Sequence, residues 1–338
     1  MRLLVLGGTG WLGGHVAAQA LASGHDVTCV SRRSAAAAGA HVVHADRDRD
    51  DALTEVAAGR WDAAVDVATG PGQVRRAVRD LGEAVAKYVY VSSVSAYASQ
   101  HESDADESAA LFEPLEADEL ASVADYGAAK SACEQAVRTG FPGRRHAIVR
   151  PGLIGGPGDR SGRTGYWPRR FAHPSNPAGE VLVPDAPQLP TSVIDVRDLA
   201  AFLLTLAVGD AHGAFNAVGE PVAFFDHLAA AREAAGHTGP VVLAGQQWLR
   251  AHEVDEWAGP RSLPLWLADP EMYGMNTRSN ARARAAGLVL RPLAETLTDA
   301  LADALSADGD LARGAGLTDA EERELLAELA RGRPAPRR

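Results

Sequence analysis

The chain has 338 residues, 46% of them hydrophobic and 23% charged, with a formal net charge of −11. That length can bury a core as one large or two intimate domains, and the composition is that of a soluble globular enzyme. The negative balance argues against a nucleic-acid partner, and the lack of an apolar run of about 18 residues argues against a membrane span. Cys29 and Cys133 supply neither a disulfide framework nor metal-ligand spacing. His41 and His44 lie on a predicted strand without a metal-binding pattern, so no metal site is expected. No signal-like segment precedes the first strand, and the expected location is cytoplasmic.

The run Leu3-Leu4-Val5-Leu6 predicts a strand that passes directly into Gly7, Gly10 and Gly13 and then into a helix. Gly7 suits the tight turn, Gly10 a close approach to a pyrophosphate, and Gly13 the packing of helix on sheet. The segments 26–30, 40–44 and 63–67 read as the second to fourth strands. A helix is expected over 74–86, a fifth strand over 88–93, a helix over 125–137 and a sixth strand over 146–149. Residues 99–120 are acidic and aperiodic, as in a surface loop. Residues 155–190 are rich in Gly, Pro and Arg and predict a loop-rich cap. A further helix opens in 193–200, and 214–218 reads as a strand returning to the sheet, with weaker strand signal at 241–243. Thr318-x-x-Glu321 is a capping box for a last amphipathic helix.

Alternating strands and helices predict a doubly wound parallel sheet, Rossmann-like, with a smaller, mostly helical substrate-binding region. The expected boundaries are 1–160 for the nucleotide-binding domain, with 191–218 returning to it. The cap takes 161–190 and 219–305, and 306–338 form a terminal helix and an Arg/Pro tail.

Tyr126 and Lys130 stand four residues apart, hence on one face of a helix. A neighbouring ammonium favours the phenolate and suits the tyrosine to proton transfer. An exposed lysine beside a packed tyrosine is the structural alternative. Together with Gly7-Gly8-Thr9-Gly10-Trp11-Leu12-Gly13, with Arg150-Pro151-Gly152-Leu153-Ile154-Gly155-Gly156-Pro157 and with Ile194-Asp195-Val196-Arg197-Asp198-Leu199-Ala200, this pair resembles the extended short-chain dehydrogenase/reductase family, also called the NAD-dependent epimerase/dehydratase family. The resemblance covers roughly residues 1–305.

The resemblance implies a Ser–Tyr–Lys triad. Tyr97 stands four residues after Ser93, which selects Ser93 over Ser92. Tyr126 would be the general acid/base, Ser93 would hydrogen-bond the substrate oxygen, and Lys130 would hold the nicotinamide ribose. The implied cofactor contacts are Gly7, Thr9, Gly10, Trp11, Leu12, Gly13, Ala68, Lys130, Pro151 and Leu153. At the end of the second strand NAD-binding relatives place an acid. Here Ser31 fills that slot and is followed by Arg32 and Arg33, which favours NADP(H) over NAD(H), unless the two arginines are merely solvated. Asp46 resembles the residue that meets the adenine amine; a helix N-cap is the alternative.

Ser93 is followed by Val94 and Ser95 where dehydratases carry Asp-Glu, which argues against water elimination. Thr191 stands where many nucleotide-sugar members carry an arginine for the diphosphate, although Arg163, Arg169 or Arg170 could substitute. Tyr166 and Trp167, and more weakly Trp257, Trp266 and Tyr273, either line a substrate cleft or pack the smaller domain. The expected function is NADPH-dependent reduction of a carbonyl or imine in a small molecule, with family analogy pointing to specialised metabolism. The alternatives are an NAD-dependent nucleotide-sugar epimerase and a non-catalytic cofactor-sensing or RNA-binding member. A small-molecule substrate is the expected partner, and relatives suggest a homodimer.

Overall fold

The structure, a computed structural model, describes residues 1–32, 36–306 and 314–332, so Arg33 and the Arg/Pro run from 333 onward lie outside the described residues. The chain divides into two compact units.

Unit 1 comprises Met1–Ile154, Ile194–Gly219 and Thr277–Leu290. Its centre is a seven-stranded sheet built from β1 (Arg2–Leu6), β2 (Asp26–Ser31), β3 (His41–His44), β4 (Trp61–Asp66), β5 (Val85–Val91), β6 (His146–Pro151) and the strand Gly213–Ala217. Spatial order from one edge is Gly213–Ala217, β6, β5, β4, β1, β2, β3, and every pair is parallel. Both faces are covered, which is why the strands read as near-continuous apolar runs. Helix α1 (Trp11–Ala22) and the helix Val196–Val208 cover one face, over Leu3, Val5, Val27, Cys29 and Val149. The other face packs Leu4, Leu6, Val30, Ala64 and Ile148 with residues of α3 (Pro71–Leu81) and α4 (Tyr126–Gly140). The doubly wound parallel sheet is therefore present as the sequence predicts.

Two boundaries differ from expectation. The helix predicted over 74–86 ends at Leu81, and Val85 already pairs with Trp61 in the sheet. Gly82 closes the helix, and the apolar Val85 and Ala86 that extend its pattern belong to the strand. Residues 277–290, expected in the cap, belong to unit 1. Ala283 and Leu288 are buried in the same core as Phe215, and the Arg278 guanidinium lies 4.0 Å from the centre of the Tyr97 ring.

Unit 2 comprises Gly155–Val193, Glu220–Asn276 and the described residues from Arg291. The stretch read as loop-rich contains a helix, Tyr166–Ala172, and a strand, Val181–Pro184, which pairs in parallel with Val241–Ala244. Strands Asp255–Trp257 and Ser262–Pro264 also pair, so short strand pairs accompany the unit's helices. Its core holds Trp167, Phe171, Phe224 and Trp266. The capping box is present: the Thr318 amide donates to the Glu321 carboxylate at 2.7 Å and the Glu321 amide to the Thr318 hydroxyl at 3.2 Å. The helix it opens, Asp319–Gly332, is part of unit 2. Arg170 donates to Asp319 at 2.9 Å, and Glu322 accepts from the Leu182 amide at 3.0 Å.

Candidate active site

Gly7 ends β1 in a left-handed conformation, φ +94°, and its amide donates to the Val30 carbonyl of β2 at 2.9 Å. A Cβ at Gly13 would collide with the Gly7 carbonyl oxygen, so the start of α1 can sit against the turn only with glycine there. The N-cap residue of α1, Gly10, makes no side-chain hydrogen bond, and the first turn holds no acid. The positive dipole end of a 12-residue helix therefore faces this turn with no acidic side chain of its own first turn to offset it. The Thr9 hydroxyl is hydrogen-bonded to the Ser31 hydroxyl, which ties this loop to the end of β2. Arg32, the next residue, is exposed. These features fit the phosphates of a dinucleotide.

Asp46 is exposed and accepts from the Asp48 amide at 3.3 Å. It shapes a turn and caps no helix, since α2 (Thr54–Ala57) begins eight residues later. Its neighbour Arg47, not singled out by the sequence, is buried and grips Asp66 with two hydrogen bonds of 2.6 and 2.8 Å. Burial works to raise the Asp66 carboxyl, but the Arg47 charge and the hydrogen bonds from Arg47, Tyr88 and the Ala68 amide hold it below the usual carboxylate range. The Asp66 carboxylate in turn fixes Ala68 by accepting from its amide at 2.9 Å.

Ala68 links this cluster to the candidate triad. Lys130 is only 3% exposed, and its Nζ donates to the carbonyls of Ala68 and Val91 at 2.9 Å each and to the Tyr90 hydroxyl at 3.1 Å. Burial pushes its pKa down to about 8, opposed by the charges of Cys133, Asp66 and Glu134. The ammonium lies 5.9 Å from the centre of the Tyr126 ring, one helical turn away, and Tyr126 is half-buried at the start of α4. Ser93 follows the end of β5 in an extended conformation and accepts from the Ser95 amide at 3.1 Å. The 3-10 turn Val94–Ala96 that follows packs against α4, bringing the strand-end serine and the tyrosine helix together. Pro151 and Leu153 are buried at and just beyond the end of β6.

Ser92 is committed elsewhere. Its hydroxyl donates to Glu134 at 2.6 Å, and the same carboxylate receives Arg150 at 2.8 and 2.7 Å and Arg138 at 2.8 Å. Arg150 also donates to the Tyr97 hydroxyl at 2.7 Å, and Tyr97 to Asn216 at 2.7 Å. This buried network locks α4 to β5, β6 and the last strand through Ser92, and the Ser93 hydroxyl accepts instead from the Ser95 amide. No pattern in the sequence separates Glu134 from other helix carboxylates except its place four residues after Lys130.

In unit 2, Trp167 is fully buried, donates to the Pro264 carbonyl at 2.8 Å and meets Phe224 edge-on at 5.7 Å. Tyr166 is buried beside it, and burial raises its phenol. Both residues pack the unit's core: Tyr166 meets Trp167 edge-on at 5.0 Å, and Trp167 lies 6.4 Å from Phe171. Trp266 is buried likewise, whereas Trp257 is half-buried with Arg163 5.4 Å above its ring. Thr191 is buried and donates to the Val222 carbonyl at 3.2 Å. Arg170 is consumed by Asp319 and Glu322 and cannot replace a diphosphate clamp.

Residues 3–86 match the model of the NAD dependent epimerase/dehydratase family. No curated protein matches the chain by sequence. Among solved structures, UDP-glucose 4-epimerase from Thermotoga maritima, with UDP-glucose, is 15% identical, covering 90% of this chain and 99% of that one, with a TM-score of 0.67. UDP-N-acetylglucosamine 4-epimerase from Bacillus cereus is 14% identical over 91% and 100%, TM-score 0.66. The Bordetella bronchiseptica enzyme WbmH, in complex with NAD+, is 17% identical over 91% and 99%, TM-score 0.63. Such identities establish a shared fold. The family resemblance is confined to residues 3–86, the first strands and the glycine-rich turn between them, and the solved structures extend the likeness in fold over about nine-tenths of the chain.

Proposed function

We propose that this protein is a dinucleotide-dependent enzyme acting at a hydroxyl- or carbonyl-bearing carbon of a small molecule. The carrying observation is Lys130, an ammonium buried at the end of β5 beneath Tyr126. Burying that charge is costly, and perturbed groups of this kind concentrate at functional sites. Gly10, Trp11, Leu12 and Gly13 would surround the pyrophosphate, with Ser31 and Arg32 at the adenosine ribose and Ala68, Pro151 and Leu153 along the remainder. The bound dinucleotide supplies a hydride donor or acceptor. Tyr126 gives or takes the proton at the substrate oxygen, Ser93 hydrogen-bonds that oxygen, and Lys130 sets the charge that favours the phenolate. All three amine protons of Lys130 are directed to Ala68, Val91 and Tyr90, so its first role is electrostatic.

Two finer readings follow. The family match and the epimerase neighbours support a sugar-nucleotide epimerase over the carbonyl reductase expected from the sequence. Ser31 in the acid's slot, exposed Arg32 and buried Thr191 support NADPH use and a substrate without a diphosphate. Incubation of the purified protein with UDP-glucose and UDP-N-acetylglucosamine, alongside NADPH consumption against a carbonyl panel, separates them. Epimer formation with retained NAD establishes the first. Carbonyl-dependent NADPH oxidation by a protein purified without cofactor establishes the second. Absence of both activities from a folded protein overturns the proposal.

A further inference from the structure

Unit 1 carries a groove of about 620 Å³ whose lining includes Asp106, Glu107, Arg138, His146, Ser279 and Arg282. It runs beside the edge strand Gly213–Ala217, at the opposite side of the sheet from β2 and β3. None of its lining residues belongs to the glycine-rich turn, the strand-end serines or the Tyr126–Lys130 pair.

Two guanidinium groups, both exposed, stand on its wall. Arg138 closes the last turn of α4, and one of its amino groups is held by Glu134 at 2.8 Å. Its other N–H groups make no hydrogen bond among the described residues. Arg282 lies 5.1 Å from the centre of the Phe215 ring and donates to the His212 carbonyl at 3.1 Å. Gly213 keeps that route open: at φ +89° it has no Cβ, which would otherwise stand 2.9 Å from the Arg282 amino group. Both forks are thus preorganised by contacts that leave donors free.

Three acceptors share the groove, and one of them, the Asp106 carboxylate, already takes the Ser108 amide and hydroxyl on Oδ1 at 2.9 and 2.6 Å. The His146 Nδ1 is 2.7 Å from the Phe141 carbonyl oxygen. A carbonyl only accepts, so Nδ1 carries the hydrogen and Nε2 of the neutral ring is an acceptor. Burial, with the Arg138 charge acting in the same direction, lowers the His146 pKa and favours that neutral form. Glu107 uses Oε1 to accept from the Asn216 amide at 2.7 Å, which leaves Oε2.

We propose that this groove binds a phosphorylated polyhydroxyl compound, a sugar phosphate in chemical class, with phosphate between Arg138 and Arg282 and hydroxyls donating to Glu107 and His146. A free cation would face two arginines. An apolar carboxylate would leave Glu107 and His146 without donors in a partly desolvated site. The volume falls within the range of small-molecule sites. Through Arg138, Glu134 and Ser92 the groove is joined by hydrogen bonds to the residue before Ser93. The site is independent of which activity the triad performs.

The test is calorimetric titration of the full chain with glucose 6-phosphate, ribose 5-phosphate and inorganic phosphate. Saturable binding of at least one sugar phosphate, one per chain and tighter than inorganic phosphate, is expected. Arg138→Gln and Arg282→Gln should each weaken it by about tenfold or more, the scale of one charge-assisted hydrogen bond. Glu107→Gln should weaken the sugar phosphate and spare inorganic phosphate, and Tyr126→Phe should change neither. Arg138 is 44% exposed, so its variant keeps the fold. The proposal is overturned if neither sugar phosphate binds, or if inorganic phosphate binds as tightly. It is also overturned if binding survives both arginine variants or disappears in Tyr126→Phe.

Discussion

Glu134→Gln removes the charge at the centre of the buried network while nearly preserving its volume. Arg150, 1% exposed, then keeps its partner Tyr97 but loses the counter-charge that accepts at 2.8 and 2.7 Å. The glutamine keeps one amide oxygen, so either Ser92 (2.6 Å, on Oε1) or Arg138 (2.8 Å, on Oε2) also loses its acceptor to an amide nitrogen. Removing one partner of a buried ion pair costs about 3–5 kcal/mol, because the survivor stays desolvated and uncompensated. Arg150→Met should cost less, since Glu134 would still hold Arg138. The double variant should cost well below the sum of the singles, as no unpaired buried charge remains. Thermal melting followed by circular dichroism reads the effect, at about 2–4 °C per kcal/mol for a unit of this size. A Glu134→Gln shift below about 1 kcal/mol, or strict additivity in the double variant, would refute the reasoning.

Further expectations follow from single residues. His227 is buried, and burial pushes its pKa from 6.5 down to about 4. The unfolded chain therefore binds the extra proton between those values, so stability falls as pH drops from about 6.5 to 4, by about 3 kcal/mol in all. His227→Phe should flatten this stretch of the stability–pH curve; an unchanged curve contradicts it. Tyr126→Phe should lower turnover at least ~10²-fold while dinucleotide affinity stays within a few-fold; unchanged turnover removes Tyr126 from the chemistry. Arg32→Ala should weaken NADPH binding by about tenfold and spare NADH, the loss of one charge-assisted contact. Equal effects on the two cofactors would show that Arg32 is merely solvated.

The parts legible in the sequence were those written in local periodicity or glycine geometry. The strand before Gly7, the turn at φ +94° and α1 behind Gly10 follow from adjacent residues, as does the Thr318–Glu321 box. Tyr126 and Lys130 were placed on one face by helical spacing alone. What escaped depends on contacts between distant segments. Arg47 sits in a run of alternating acids and arginines, 46–51, and nothing local tells that it is the one turned inward onto Asp66. Arg278 joins unit 1 because its guanidinium covers Tyr97, from a segment whose neighbours in sequence belong to unit 2. Trp167 and Tyr166 looked available to a ligand because their neighbours are Gly, Pro and Arg, yet they fill a core closed by Phe171 and Phe224. The strand Val181–Pro184 is too short for periodicity to reveal.

The central claim is that the glycine turn and α1 hold a dinucleotide beside Tyr126 and Lys130. Its most direct test is titration of the purified protein and of Gly13→Val with NADPH and NADH, following nicotinamide fluorescence. The account predicts saturable enhancement with at least one cofactor in the parent protein and its loss in Gly13→Val, whose added side chain would collide with the Gly7 carbonyl. No binding of either cofactor to cofactor-free parent protein, or equal binding to a folded Gly13→Val, would contradict it.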